Sequence, residues 1–396
     1  MTTIDTVVIG AGHAGLAVSR LLTRAGRDHA VIDRGRIGES WRSARWDSLR
    51  LLSPNWMMRL PDWDYQGPDI DGFLPAGRFV RHLELYAQSF DAPVVSGATV
   101  LELSGPGRSG YRVVTDRGNW RARHVVIATG PGLPRVPAGL REVVTAAAYR
   151  NPAQLAPGGV VVIGASASGV QIADELNRAG RDVYLSVGRH TRVPRSYHGK
   201  DVFWWLERTG RLARTIDEVR DPAAARREPS MQLAGRPGEL DLVTLQADGV
   251  RLLGRFDGMD RMDGSRARFR ADLAETAAAA DARMYRLLDS FDDSRGERPP
   301  ALVPPTTPSS VDLRRAGIGA VLVATGYQPD YPWLRLPITG PDGQIQQVRG
   351  ITAAPGVYVV GQRFQHRRDS AFIDGARHDA AYVVQHLLAC SAEPAA

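Results

Sequence analysis

An internal duplication constrains this chain of 396 residues more than any other feature. Residues 4–33 run from an apolar strand through the turn Gly10-Ala-Gly-His-Ala-Gly15 and a helical stretch into a second strand. Residues 159–187 repeat this plan around Gly164-Ala-Ser-Ala-Ser-Gly169, 154 positions further along. Each copy has the pattern of a complete strand–helix–strand unit. The chain is therefore predicted to build two parallel sheets with helices packed against them.

The first glycine turn has the spacing of a dinucleotide-binding site. Gly10 permits the tight turn, Gly12 lets a pyrophosphate approach the backbone, and Gly15 lets helix and strand pack closely. The helix N-terminus that follows favours phosphate through its free N–H groups. Asp33 ends the next strand, 23 residues after Gly10, where a carboxylate can accept hydrogen bonds from an adenosine ribose. The competing interpretation is a turn with a purely structural role.

The second glycine turn differs from the first at two informative positions. Ser166 replaces the middle glycine, and Val187 stands where the first copy has Asp33. Arg189 and Arg192 follow directly. Loss of the acid and gain of arginines suit a 2′-phosphate, because guanidinium binds phosphate bidentately whereas carboxylate repels it. This site is predicted to prefer NADPH to NADH; the alternative is that the arginines only close a loop.

Two dinucleotide sites on one chain indicate FAD in the first copy and a nicotinamide coenzyme that reduces it in the second. The predicted fold class is α/β, with two Rossmann-like dinucleotide-binding domains. We assign residues 1–150 and 325–396 to a discontinuous FAD domain, and 151–324 to an NADPH domain inserted in it. The segments 124–130 and 320–326 both end in Ala-Thr-Gly after an apolar strand. Helices are predicted over 271–290 and 374–388.

Composition excludes several other classes of protein. Cys390 is the only cysteine, which excludes an internal disulfide, a Cys-x-x-Cys redox pair and a cysteine-rich metal site; no metal site is predicted. The net charge of +7 rests on arginine, with Lys200 the only lysine. The sequence has no run of five basic residues of the kind that would indicate nucleic-acid binding. We therefore interpret the arginines as spread over solvated faces, apart from some that face coenzyme phosphates. No apolar run reaches the roughly 18–20 residues of a membrane span, and a cytoplasmic protein without a signal peptide is expected.

Over nearly its whole length the sequence resembles the class B flavoprotein monooxygenases, which include the flavin-containing monooxygenases, related N- and S-oxygenases and Baeyer–Villiger enzymes. Besides both glycine turns, the resemblance is carried by Trp41-Arg42, Trp46-Asp-Ser-Leu49, Ala128-Thr-Gly130, Tyr149-Arg-Asn-Pro152, Ala324-Thr-Gly-Tyr327 and the stretch around Gly361. It implies that the segment at Trp41 runs along the FAD and that the Ala-Thr-Gly segments mark crossings between the domains. The cofactor-binding residues expected from the motifs and the resemblance are Gly10, Gly12, His13, Ala14, Gly15, Asp33, Arg34, Trp41, Arg42, Thr129, Gly130, Gly164, Ser166, Ser168, Gly169, Ser186, Arg189, Arg192, Gly326, Gly361 and Gln362.

The resemblance also implies an activity. Such an enzyme consumes NADPH and O₂ and oxygenates a small organic substrate through a flavin C4a-(hydro)peroxide, by N- or S-oxygenation or a Baeyer–Villiger reaction. Gln362, His366 and Arg368, which follow a late strand, are the expected catalytic residues; a solvated basic loop is the competing interpretation. The aromatic segment 197–206 suits either a substrate channel or ordinary helix packing. A homodimer is left open.

Two departures from the family pattern keep a second activity in view. Leu52 stands where animal-type members have an asparagine over the flavin, and the stretch 144–148 directly ahead of Tyr149 lacks the histidine of the family pattern. The alternative function is an NADPH:acceptor flavin oxidoreductase that inserts no oxygen. A non-catalytic redox-responsive binding module is a third interpretation, against which both glycine turns argue.

Overall fold

The computed structural model describes residues 1–107, 110–260, 265–291 and 298–392. The strands in chain order are β1 (Thr2–Ile9), β2 (His29–Asp33), β3 (Val94–Ser96), β4 (Val100–Gly107), β5 (Gly110–Thr115), β6 (Gly118–Ile127), β7 (Leu133–Pro134), β8 (Val144–Thr145), β9 (Gly159–Ile163), β10 (Val183–Ser186), β11 (Thr191–Arg192), β12 (Ser196–Tyr197), β13 (Lys200–Asp201), β14 (Met231–Gln232), β15 (Arg251–Leu253), β16 (Phe256–Met259), β17 (Arg266–Phe269), β18 (Ser310–Asp312), β19 (Ile318–Val323), β20 (Tyr327–Gln328), β21 (Gln347–Val348), β22 (Ile351–Thr352) and β23 (Val357–Val359).

The α-helices are α1 (His13–Arg24), α2 (Glu39–Ser43), α3 (Ala76–Gln88), α4 (Ala167–Arg178), α5 (Val202–Arg208), α6 (Pro222–Arg226), α7 (Leu242–Ala247), α8 (Leu273–Leu288) and α9 (Ala376–Ala392). Short 3₁₀ turns lie at Asn55–Met57, Pro152–Gln154 and Ile216–Glu218. The two helices predicted over 271–290 and 374–388 correspond to α8 and α9. Within the described ranges, no helix is long and apolar enough to cross a membrane.

The first sheet is built around β1. Its strand order is β21-β22-β23-β6-β1-β2-β3, with β4 and β5 attached to β6 as an antiparallel extension. Strands β23, β6, β1, β2 and β3 run parallel. Residues Thr6–Ile9 of β1 are buried, as expected for a central strand covered on both faces. Helices α1 and α9 pack against each other on one of those faces, through Val18, Leu22, Val383 and Leu387 among others.

The second sheet repeats the same plan. Its five described strands are all parallel and lie in the order β15-β10-β9-β19-β8, which matches β3-β2-β1-β6-β23 of the first sheet. The duplication in sequence is therefore a duplication in topology, and the predicted α/β fold with two Rossmann-like units is confirmed. One boundary moves: residues 144–145 form β8, which pairs with β19, so the inserted domain that we propose begins before Val144 rather than at 151.

Glycine is required where each helix crosses its own strand. A Cβ placed on Gly15 would lie 1.9 Å from the Gly10 carbonyl oxygen, and one on Gly169 would lie 1.8 Å from that of Gly164. Both distances are far below van der Waals contact, so only glycine lets α1 and α4 start this close to β1 and β9. Gly12, by contrast, has open space around its missing Cβ.

The chain passes between the two domains through a small antiparallel pair. Strands β7 and β20 pair with each other, and the Arg135 amide donates to the Gly326 carbonyl at 2.8 Å. The Thr325 hydroxyl donates to the Arg135 carbonyl. The segment 133–135 after β6 and the segment 325–328 after β19 thus bind one another, at the crossings that the Ala-Thr-Gly segments predict.

Backbone hydrogen bonds and a close backbone contact also hold the inserted domain against the first domain. The Ile216 amide donates to the His366 carbonyl at 2.7 Å, and the Arg368 amide donates to the Arg214 carbonyl at 2.9 Å. Gly235 lies so close to the Arg50–Leu51 backbone that a Cβ would sit 2.5 Å from the Leu51 carbonyl oxygen. These contacts between backbones fix the orientation of one domain on the other.

The aromatic segment 197–206 becomes part of the apolar core between the domains. It forms β12, β13 and the start of α5, and Tyr197, Phe203 and Leu206 are buried with Met57 of the first domain. The Trp205 ring stacks on Phe291 with centroids 5.6 Å apart. Ordinary helix packing, one of the two interpretations of this segment, describes these contacts.

We expect Gly15→Ala to destabilise the ligand-free protein by about 1–3 kcal/mol through overpacking. This is opposite to the gain of up to about 1 kcal/mol that alanine usually brings inside a helix. Urea unfolding followed by circular dichroism measures the change. Gly12→Ala is the control, because Gly12 is the N-cap of the same helix and a Cβ there meets no atom within 4 Å. It should lose much less unfolding free energy than Gly15→Ala, since only the weaker capping preference of alanine acts there; equal losses in both variants would contradict the packing explanation.

Candidate functional site

The first glycine turn is an open cradle at the carboxyl edge of the first sheet. Gly12 caps α1 with extended backbone (φ −82°, ψ −177°) and no side chain closes over it. The Asp33 carboxylate accepts from the Ala11 amide at 2.7 Å and from the Gly35 amide at 2.8 Å. A carboxylate has about four acceptor positions, so Asp33 holds the turn in shape and retains capacity for a ribose.

His13, the first residue of α1, has a polar ring atom whose hydrogen bond is not made within the described part of the chain. Its Nε2 is buried and has no hydrogen-bond partner among the described residues, and burial lowers the pKa of His13 to about 4. The ring is therefore neutral at pH 7. A buried polar atom without a partner at a helix N-terminus is what a cradle shows when its ligand supplies the missing contact. Ala14, the next residue, lies against Gly361: a Cβ added to Gly361 would be 3.2 Å from the Cβ of Ala14.

The segment after β2 contains three of the expected FAD-binding residues, and they differ in availability. Arg34 is exposed. Trp41 packs edge-on against Phe79, with centroids 4.9 Å apart. Arg42 forms an ion pair with Glu84 and donates to the Ile37 carbonyl at 3.3 Å. Arg42 is thus engaged with protein groups, whereas Arg34 is free to meet a ligand at the end of β2.

The remaining FAD-domain residues lie at ends of parallel strands. Thr129 and Gly130 follow β6 and are exposed, and Gly10 sits against the backbone of residues 128–129. Gln362 follows β23, and its backbone amide donates to the side-chain carbonyl of Gln365 at 3.3 Å. The buried Gln362 Nε2 atom makes no hydrogen bond of regular geometry with the described residues, and the Gln362 side chain lies near the Tyr331 hydroxyl. These groups share the edge at which ligands bind open α/β sheets.

The second glycine turn reproduces the first in geometry although its sequence differs. Ser166 caps α4 with φ −87° and ψ −171°, almost the angles of Gly12, so this conformation does not require glycine. Ser166 and Ser168 are partly exposed, and Gly326 after β19 is exposed as Gly130 is after β6. The turn therefore offers the same helix N-terminus to a phosphate.

Two residues predicted to bind the coenzyme are structural instead. Ser186 is buried; its hydroxyl donates to the Gly254 carbonyl at 3.0 Å and accepts from the Phe256 amide at 2.9 Å. Arg192 has only 3% of its side chain exposed and binds Asp241 at 2.6 Å and Asp281 at 2.5 Å. Neither side chain can reach a bound coenzyme, and the prediction for both is corrected on this ground.

Arg189 differs from Arg192 in being accessible at the end of β10. Its side chain is exposed, and its guanidinium donates to the backbone carbonyl of Arg227. Val187, at the place of Asp33, is fully buried. The end of β10 therefore presents a cation and no carboxylate.

The C-terminal segment places polar groups against α9 that sequence reasoning missed. Asp379 is fully buried; its carboxylate oxygens make no hydrogen bond of regular geometry with the described residues, and the Ser370 hydroxyl lies close to them. His366 Nδ1 lies 4.0 Å from Asp379 Oδ1, and its ring packs on Tyr382 with centroids 5.2 Å apart. The Nε2 atom of buried Gln365 is unpartnered as well. A helical period alone could not single out Asp379, because its burial depends on the loop that follows β23.

Burial dominates the electrostatics of this pair. Burial, reinforced by the Asp369 carboxylate, raises the pKa of Asp379 to about 7, and Ser370 and Arg367 oppose the shift. Burial, followed by the positive charge of Arg349, lowers the pKa of His366. Near neutral pH, Asp379 holds its proton in part of the molecules while His366 is mostly neutral.

Two further segments of the family resemblance meet across the domain boundary. Tyr149 and Ser48 both donate to the carboxylate of Glu175 on α4, at 2.8 Å and 2.6 Å. Asn151 donates to Asp47 at 2.7 Å. These residues bind each other rather than a ligand, and they hold the segment that leads to Leu52.

Among the described residues, no group of three or more His, Cys, Asp or Glu side chains could hold a metal ion. The site is thus a pair of dinucleotide cradles with a C-terminal polar segment beside the first cradle.

Comparison with known proteins agrees with this arrangement. The family model described as pyridine nucleotide-disulphide oxidoreductase matches residues 7–209. An uncharacterized CzcO-like oxidoreductase of Geobacillus kaustophilus is 30% identical over 395 residues, which cover 97% of this chain and 98% of that protein. Probable indole-3-pyruvate monooxygenase YUCCA1 of Arabidopsis thaliana is 30% identical over 210 residues, half of each chain. The flavin-containing monooxygenase of Stenotrophomonas maltophilia superposes with a TM-score of 0.69 at 22% identity, over 99% of this chain and 100% of that one. The chain therefore belongs to the pyridine nucleotide-disulphide oxidoreductase family, and it has the fold of a flavin-containing monooxygenase.

Proposed function

We propose that this oxidoreductase is an FAD-dependent, NADPH-consuming monooxygenase that oxygenates a small organic molecule with O₂. The observation that carries the proposal is the pairing of two dinucleotide cradles with a single cysteine. Cys390 is exposed near the end of α9, and no second cysteine exists to form a redox disulfide with it. With FAD bound in the first cradle, electrons from NADPH would find no cysteine pair of this chain to accept them. An unpaired exposed thiol also fits a reducing, cytoplasmic compartment.

The first cradle fits FAD. A pyrophosphate would fit the open space at Gly12 and the free N–H groups at the start of α1. The buried Nε2 of His13, which has no hydrogen-bond partner among the described residues, would lie beside it. Asp33 would hold the ribose, with Arg34 beside it. When bound, FAD supplies the redox chemistry, since it accepts hydride and passes electrons to dioxygen. The chain supplies binding, orientation and shielding.

The second cradle fits NADPH. Ser166 and Ser168 flank the N-terminus of α4, where the coenzyme pyrophosphate would lie. At the end of β10, exposed Arg189 supplies a positive charge, and buried Val187 stands where a carboxylate would repel phosphate. Both features favour a coenzyme with a 2′-phosphate over one with a free 2′-hydroxyl.

The apolar core between the domains would keep water away from the reacting atoms. Leu52 packs into the cluster that contains Trp56, Met57, Phe203 and Phe372. Exclusion of water strengthens electrostatic interactions and limits hydrolysis of reactive species. The Leu52 carbonyl accepts from buried Arg195 at 2.9 Å, so the cluster is tied to both domains.

His366 and Asp379 can hold the proton that the reaction consumes. Oxygenation with NADPH and O₂ takes up one proton for each water that is released. In its buried site Asp379 has the Ser370 hydroxyl and the His366 ring beside it. The Asp379 carboxyl, whose pKa is raised to about 7, can give or take a proton near neutral pH, with the neutral imidazole of His366 beside it.

A second candidate, an NADPH:acceptor reductase without oxygen insertion, is favoured by Leu52. A leucine side chain donates no hydrogen bond to oxygen, so this chain lacks the donor that an asparagine would provide. The Gln362 side chain offers an amide donor beside the first cradle, within reach of the Tyr331 hydroxyl, and it favours the monooxygenase.

We expect one ¹⁸O atom from ¹⁸O₂ in the product, and one NADPH consumed for each product, when the purified protein is given a panel of amines, sulfides and ketones. Mass spectrometry of products and a peroxide assay measure the outcome. The Gly12→Val variant, in which a side chain occupies the pyrophosphate approach, is the matched blank. Unlabelled products, with all consumed oxygen recovered as hydrogen peroxide, would establish the reductase instead.

We expect Asp379→Asn to flatten the pH dependence of stability. The pKa of about 7 in the folded protein lies above the ordinary value of about 3.9, so the protonated carboxyl stabilises the fold fully below pH ~4. That contribution is lost as the pH rises through 7, at up to about 1.4 kcal/mol for each unit of pKa difference. The variant should therefore gain on the wild type between pH 5 and 8 in urea unfolding.

The control for this measurement is Asp64→Asn, which changes an exposed aspartate of the same domain. It should keep the pH dependence of the wild type. A variant of Asp379 whose unfolding free energy runs parallel to the wild type over this range would show that Asp379 stays ionised.

A further inference from the structure

Three arginines from the two domains gather around one short segment. Arg189 donates to the carbonyl of Arg227, Arg363 donates to the Ser230 hydroxyl at 3.4 Å, and Arg368 binds the Glu228 carboxylate at 2.7 Å. Arg189 follows β10 of the inserted domain. Arg363 and Arg368 follow β23 of the first domain, more than 170 residues later in the sequence. The segment 227–230 is therefore the meeting point of cations that the fold brings together.

These cations are close enough to affect one another. Desolvation lowers the pKa of Arg363; Glu228 raises it, and the like charges of Arg368 and Arg189 lower it further. Desolvation and the charges of Arg368 and Arg214 likewise lower the pKa of Arg211. Like charges held together cost free energy unless an anion joins them. Buried Arg192, in contrast, is matched by two aspartates.

The partners of Arg189 and Arg363 leave their charge available. Each of the two guanidinium groups is held by a neutral oxygen, a carbonyl or a hydroxyl. Arg189 is exposed, and Arg363 keeps an exposed surface although its guanidinium is partly desolvated. Glu228, the carboxylate nearest to them in this segment, also attracts Arg363, and its ion pair with Arg368 weakens its repulsion of an anion there.

We propose that Arg363 completes the 2′-phosphate site of the coenzyme from the opposite domain, with Arg189 as its partner and Arg368 as the residue that holds Glu228 aside. This inference rests on the proposed use of NADPH and adds the residues of the first domain that select it. A coenzyme extending from the N-terminus of α4 past the end of β10 brings its 2′-phosphate to Arg189, on the side that faces Arg363. Selectivity for NADPH then depends on the two domains being held together.

Isothermal titration of the flavin-loaded protein with NADP⁺, NAD⁺, adenosine 2′,5′-bisphosphate and adenosine 5′-monophosphate tests this assignment without reference to turnover. Arg363→Ala should weaken NADP⁺ and the bisphosphate by about ten- to a hundredfold, the range for loss of a charge-assisted hydrogen bond. NAD⁺ and the monophosphate should change by less than about twofold, since they carry no 2′-phosphate. Arg363→Lys should recover part of the loss, because it restores the charge but not the bidentate geometry.

Three further variants complete the design. Arg368→Ala should also weaken NADP⁺, and Arg368→Ala combined with Glu228→Gln should restore much of the affinity, because the neutral amide no longer repels the phosphate. Arg112→Ala, an exposed arginine on β5, is the matched control for loss of one positive charge and should bind like the wild type.

The outcomes separate this inference from the function on which it rests. Wild-type protein that binds neither NADP⁺ nor the bisphosphate would overturn both. Tight NADP⁺ binding by the wild type that Arg363→Ala leaves unchanged, or that it weakens equally with NAD⁺, would overturn only the role of Arg363.

Discussion

Both domains depend on the close contact between each nucleotide-facing helix and its own strand. The missing side chains of Gly15 and Gly169 let α1 and α4 start against the carbonyl oxygens of Gly10 and Gly164, at distances that no Cβ could occupy. This approach aims the free amides of each helix at the edge of its sheet, where a phosphate is stabilised. Both cradles, and the spacing between helix and sheet on which the cores pack, depend on it.

The second requirement is that the two cradles stay in a fixed relation. The β7–β20 pair, the backbone hydrogen bonds between 214–216 and 366–368, and the carboxylate of Glu175 shared by Tyr149 and Ser48 all cross the boundary. The apolar cluster around Phe203 and Leu52 fills the space between them. Hydride transfer needs the reacting atoms about 3–3.5 Å apart, so a rigid junction contributes to chemistry as well as to stability.

Much of this could be predicted because the decisive signals are local. Glycine spacing and strand patterning define each βαβ unit within about thirty residues, and they led to the fold class and to Gly10, Asp33 and Gly164. The errors arose where partners come from afar. Arg192 is neutralised by Asp241 and Asp281, and β8 joins the second sheet by pairing with distant β19. Asp379 and Arg363 gain their surroundings only from tertiary packing, so no local pattern marks them.

The central claim is that one chain holds two different dinucleotides at once. Native mass spectrometry of the purified protein, with and without added NADP⁺, tests it most directly. We expect the 43.1 kDa chain with one FAD bound as purified, and one FAD plus one NADP⁺ per chain after titration. NADP⁺ that displaces FAD, or a chain that carries a single dinucleotide at saturation, would contradict the presence of two independent cradles.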